Sequence, residues 1–120
     1  MKTIAAVVLL ILAMPAVADE WTEDDTIVQL TLTSVMMVDW MQTMNGVQSG
    51  KASEMNPLLG PHPSRQRINL MIGGAILGHA AVAYILPQPM RRIWQVTVLV
   101  AEVGAVAGNA TLGIGLSLPW

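Results

Sequence analysis

Two uninterrupted apolar runs constrain this chain more than anything else in it. Ile93 to Leu116 holds 24 residues with one charge, Glu102, and Ile68 to Leu86 holds 19 with none. In lipid a single segment satisfies its own backbone only as a helix, and a hydrocarbon core of about 30 Å takes roughly 20 helical residues. Both runs therefore predict membrane spans. The chain as a whole agrees, with 53% hydrophobic and 12% charged residues, where soluble domains carry about 25% charged. At 120 residues it is one domain, and the absence of cysteine excludes a disulfide framework, a thiolate metal site and a cysteine nucleophile. Six basic and eight acidic residues give a formal charge of -2, with no basic cluster beyond Arg91-Arg92, which excludes a nucleic-acid surface.

Residues 1–18 read as a secretory signal peptide: Lys2 as the positive start, Ile4 to Ala13 as the apolar stretch, and Ala16-Val17-Ala18 as the cleavage site before Asp19. Residues 19–120 are then the membrane domain, opening on an acidic head of Asp19, Glu20, Glu23, Asp24 and Asp25 that is expected to be solvated. A third segment, residues 26–47, is long enough to span but carries Gln29, Asp39, Gln42 and Asn45, so it needs helix neighbours. The fold class expected is an all-α bundle of three transmembrane helices at about 26–47, 68–86 and 93–116. A signal that exports Asp19 makes the loop 48–67 cytoplasmic in a bacterial inner membrane, and its Lys51, Arg65 and Arg67 fit the positive-inside rule. Tyr84, Trp94 and Trp120 fall where aromatic belts form.

That loop carries a motif of its own. Asn56-Pro57 followed by Gly60 is the signature of a short helical turn, and Ser64 is placed to cap the helix after it. Glu54, Asn56, Pro57, Gly60, His62 and Ser64 are candidate residues of a connector or a binding loop. In the third run Gln95, Glu102 and Asn109 recur every seven residues as a polar stripe, beside the small-residue spacings Ala101/Ala105 and Gly104/Gly108. Gly74 and Gly78 repeat that spacing in the second run, and such spacings let helices approach closely. Asp39, Gln42 and Thr43 share a face of the first helix.

Measured from the ends of the apolar runs at about 1.5 Å per residue, Asp39, His79 and Glu102 lie roughly 12 to 17 Å deep, near the midplane. Intramembrane ionisable groups are costly and define a candidate site. The expected polar cluster is Asp39, Gln42, Thr43, His79, Glu102 and Asn109. Asp39, His79 and Glu102 are also the candidate metal ligands, though their spacing matches no local metal motif. No metalloprotease, nucleophile-elbow, P-loop or dinucleotide fingerprint is present, so neither an enzyme nor a cofactor is expected.

Asp39-Trp40-x-Gln42-Thr43, Glu54-x-Asn56-Pro57-Leu58-Leu59-Gly60-x-His62-Pro63-Ser64, His79, Arg91-Arg92-x-Trp94-Gln95 and the stretch from Glu102 to Asn109 together resemble a family of small uncharacterised membrane proteins of proteobacteria and their phages. The resemblance covers nearly all of residues 19–120. It implies a small multi-span membrane protein behind a signal-like segment, and no activity. The functional expectation is a structural or accessory membrane protein that binds another membrane protein or itself. Two rivals are an ion- or proton-binding transport component built on the Asp/His/Glu cluster and a holin-like pore former.

Overall fold

A computed structural model describes residues 19–51 and 59–120 of the chain. Residues 1–18 and Glu54, Asn56 and Pro57 of the loop motif lie outside the described residues. The described chain is all-helical, with α1 at Glu23–Gln48, α2 at Arg65–Ile85 and α3 at Gln88–Thr111. By length and composition α2 and α3 are apolar enough to cross a membrane.

Local chemistry sets each boundary. α1 opens on a capping box, in which the Thr22 side chain accepts from the Asp25 N–H while the Asp25 carboxylate accepts from the Thr22 N–H. Glu23, Asp24 and Asp25 place negative charge at the positive end of the helix dipole. Ser64 caps α2 by accepting from the Arg67 N–H at 3.1 Å. α2 ends where Pro87 forces Leu86 into an extended conformation. Pro87 is then the N-cap of α3, and Pro89 sits in its first turn, where a missing N–H costs nothing.

The third helix differs from its expected span of 93–116 at both ends. It starts at Gln88 because prolines that stop one helix are tolerated in the first turn of the next. It stops at Thr111 because Gly113 adopts φ +71°, the left-handed conformation that ends helices. The tail beyond it folds back over the bundle. The Gly115 N–H donates to Asn45 Oδ1 at 2.9 Å, the Ser117 N–H to the Met41 carbonyl at 3.1 Å, and Asn69 Nδ2 to the Pro119 carbonyl at 2.9 Å. Lys51 Nζ joins from the loop, donating to the Gly113 carbonyl at 2.9 Å.

α1 packs more extensively on α3 than either packs on α2. The apolar core is small: Met44, Leu59 and Ile68 are buried together, with Trp40, Val47 and Ile72 packed against them. The small-residue spacings do not build this packing. A methyl group added at Gly74, Gly78, Gly104 or Gly108 would meet nothing within 4 Å. The close approach is at Gly73 instead, where an added Cβ would lie 3.3 Å from the Trp40 ring.

Candidate functional site

The polar stripe of α3 is the spine of the molecule, and Gln88 extends it one heptad upstream of Gln95, Glu102 and Asn109. Each level of the stripe meets a different set of partners.

At the first level a buried ion pair closes one end of the bundle. Arg91 and Asp25 are both fully buried, with Arg91 Nη1 2.7 Å from Asp25 Oδ2. The Arg91 guanidinium also donates from Nε to the Ala83 carbonyl at 2.9 Å, from Nη2 to the Asp19 carbonyl at 2.8 Å and from Nη1 to the Glu20 carbonyl at 3.3 Å. It lies 5.0 Å from the centre of the Trp21 ring. One side chain thus ties the segment before α1, α1 itself and the end of α2 to α3. Gln88 Nε2 donates to Asp25 Oδ2 at 2.6 Å, and the half-exposed Arg92 donates to Oδ1 at 3.3 Å. Burial by itself would raise the Asp25 pKa; the hydrogen bonds from Thr22 and Arg91, with the Arg91 charge, outweigh it and hold the carboxyl below its ordinary value. The acidic head is therefore not wholly solvated as expected: Asp25 is its structural member, and the Asp19 carboxylate accepts from the Gln88 N–H at 2.7 Å.

At the second level Gln95 Nε2 donates to the Asp25 carbonyl and to Gln29 Oε1, both at 3.2 Å, and Gln29 Nε2 meets His79 Nδ1 at 3.5 Å. The His79 ring stacks on Trp94, centroids 4.9 Å apart and planes at 11°, while Trp94 Nε1 donates to the His79 carbonyl. His79 is buried, and among the described residues neither its Nε2 nor Gln95 Oε1 has a hydrogen-bond partner.

At the last level Asn109 Nδ2 donates to Asp39 Oδ1 at 3.1 Å and to Gln42 Oε1 at 3.2 Å, and Gln42 Nε2 donates to the Val106 carbonyl at 3.2 Å. Asp39, Gln42, Thr43 and Asn109 line a cavity of about 470 Å³ that Ala105 and Gly108 help to wall. Glu102 lies between the levels on the α3 stripe, half-buried.

The expected six-residue cluster is thus divided. Asp39, Gln42, Thr43 and Asn109 come together, whereas His79 belongs to the Gln29–Trp94 level. Trp40 Nε1 donates to Asn69 Oδ1 at 2.9 Å, so the start of α2 lies level with Trp40, and α1 continues to Gln48 past it. Depths counted from the run ends took those ends as flush. The stagger puts His79 beside Gln29, ten residues from Asp39, or ~15 Å of helical rise. Among the described residues no three His, Asp or Glu side chains form a metal-ligating group, so the candidate ligand set Asp39, His79 and Glu102 does not assemble. Of the loop motif, Ser64 caps α2, Gly60 takes φ +80° and His62 is exposed at the surface.

The Asp25–Arg91 pair was not singled out from the sequence. Its signals are there: Thr22 and Asp25 have capping-box spacing, and Gln88 stands one heptad before Gln95. Comparison with known proteins finds no protein family, curated protein or solved structure that matches this chain.

Proposed function

We propose that the chain is a small integral membrane protein of the bacterial inner membrane, with three spans and an exported N-terminus, acting as an accessory that docks a partner helix. The observation that carries the accessory part is where the polar side chains go: Asp25, Gln29, Asp39, Gln42, Gln95 and Asn109 are engaged between helices. A bundle that uses its polar groups as interhelical bonds holds a shape and leaves few of them to a transported ion. The membrane part rests on uncovered apolar surface. Only 6% of the residues in the most apolar stretch of α3 and 22% of those in that of α2 are buried within the bundle, and Leu77, Val100 and Ile93 stand 74%, 67% and 66% exposed. Such faces need lipid or protein against them.

The docking face is that of Ala101, Gly104, Ala105 and Gly108 on α3, exposed beside the polar cavity. A photo-reactive residue at position 105 is expected to cross-link to protein in intact membranes, and the same residue at position 77, on α2, to lipid alone. Lipid adducts at both positions would remove the docking reading.

The cavity beside Asp39 favours a second reading, an ion- or proton-binding component. Proton or cation flux into vesicles containing the purified protein, abolished by Asp39→Asn, would establish it over the accessory reading.

A further inference from the structure

The hydrogen bonds around Asn109 fix which of its polar atoms are left over. The Val106 carbonyl is an acceptor only, so the Gln42 atom 3.2 Å from it is the amide nitrogen, and Gln42 turns its oxygen to Asn109. The Asn109 atom that meets this oxygen and Asp39 Oδ1 is therefore its nitrogen, and both protons on it are in use. What Asn109 keeps is an acceptor, Oδ1. Among the described residues Asn109 Oδ1, Asp39 Oδ2 and Thr43 Oγ1 have no hydrogen-bond partner. All three are open to an occupant: the unpartnered side-chain polar atoms sealed inside the described bundle are His79 Nε2 and Gln95 Oε1, whereas Asp39, Thr43 and Asn109 are each partly exposed.

These residues line the cavity of about 470 Å³, within the size range of small-ligand sites. Asp39 and Thr43 stand one turn apart on α1, so their side chains are neighbours. Val47, Leu59, Pro63, Leu112 and Ile114 supply apolar walls, and Asp39 is the one charged residue of the lining. Asp25 has two arginines against it, whereas no basic side chain among the described residues pairs with Asp39. A half-buried carboxylate without a counter-charge favours a cation. A divalent metal ion would find one carboxylate where it needs a cluster of ligands. An anion would be repelled, and a purely apolar molecule would leave three acceptors unpaired. A quaternary ammonium is held by aromatic faces, and no aromatic residue lines the cavity. A primary ammonium carries three N–H donors and one positive charge, the complement of three acceptors of which one is a carboxylate.

We propose that this cavity binds a primary alkylammonium, its N–H groups donating to Asp39 Oδ2, Asn109 Oδ1 and Thr43 Oγ1 and its apolar chain lying against Val47, Leu59 and Leu112. This goes beyond the accessory reading. It rests on the ion-binding reading of the same cavity, whose ligand class it names, and the two fail separately: cation flux without amine binding removes the proposal alone, and amine binding without flux removes the transport component alone.

The test titrates the full chain in nonionic detergent micelles with hexylammonium at pH 7, where a primary amine is protonated, by calorimetry against empty micelles. One-to-one binding is expected, with a shift of the Asn109 side-chain amide resonances in the same titration. Hexanol, which lacks the charge, and hexyltrimethylammonium, which lacks the N–H groups, should each bind at least tenfold more weakly. Asp39→Asn keeps an acceptor for Asn109 and loses the charge, so affinity should fall about tenfold or more. If that variant fails to fold, Thr43→Val removes one acceptor and should weaken binding several-fold. Gly108→Leu places a side chain in the cavity wall, where an added Cβ meets nothing within 4 Å, and should reduce binding to background; Ala105→Leu serves if it does not fold. Gly74→Leu, equally open and outside the lining, should bind as the parent does. The site is overturned if hexylammonium does not bind, if either analogue binds as tightly, or if a folded variant lacking the charge, the acceptor or the cavity binds like the parent.

Discussion

The two ends of the α3 stripe solve the same problem differently. At the Arg91 end a full charge pair is buried and every guanidinium nitrogen has a partner, two of them backbone carbonyls of the segment before α1. At the Asn109 end one neutral amide bridges Asp39 and Gln42, and a cavity of about 470 Å³ is left beside them. The first arrangement closes the bundle, and its groups are too tightly matched to accept a ligand. The second joins the helices more loosely and leaves polar surface accessible. Burial of charge is here the mark of structure, and the weaker bonds mark where the molecule stays open.

The largest effect separating the ends should come from Arg91→Met. It strands the Asp25 carboxylate in the interior and should cost about 3–5 kcal/mol, read as an unfolding free energy in a denaturing-detergent titration. Arg92→Met removes the half-exposed partner of the same carboxylate and should cost at most about 1 kcal/mol. Equal losses in the two variants would mean that Arg91 is not the closing group.

Acid is the second probe of the charged end. Asp25 has a folded-state pKa below its unfolded one, so its contribution is present above the ordinary carboxylate range, about 4, and is lost as pH falls through the lower folded value. Thermal melts of the parent should show an acid loss below about pH 4 that Asp25→Asn lacks, that variant being already weakened at pH 7. An identical acid profile in both would remove Asp25 as its source.

Asn109→Leu attacks the neutral end and should cost about 1–2 kcal/mol, because it leaves Gln42 Oε1 and Asp39 without their donor. A loss matching that of Arg91→Met would erase the contrast between the ends. The smallest effect concerns the glycines. Gly104→Ala should change bundle stability by less than about 0.5 kcal/mol, since nothing lies within 4 Å of the added methyl, whereas Gly73→Ala presses on Trp40 at 3.3 Å and should be measurably worse. The reverse order would show that the packing runs through the exposed small-residue face.

Two kinds of information met in this chain. Apolar run length, proline placement and cap chemistry are local, so the sequence determined that there are helices near 26–47, 68–86 and 93–116, that Ser64 starts one and that Pro87 separates two. The heptad of Gln95, Glu102 and Asn109 likewise declared one polar face. What the sequence did not hold was the stagger between helices, because no single segment records how far one slides along another. That slide is set by pairs distant in the chain: Trp40 with Asn69, Asp25 with Arg91, Asn109 with Asp39. It moved His79 away from Asp39, and the Asp25–Arg91 pair buried a member of a head that reads as solvent-facing. Residue type and spacing fixed which groups must avoid apolar surroundings; only the packed register decided which of them meet, because a hydrogen bond is satisfied over about 3 Å, two residues of helical rise.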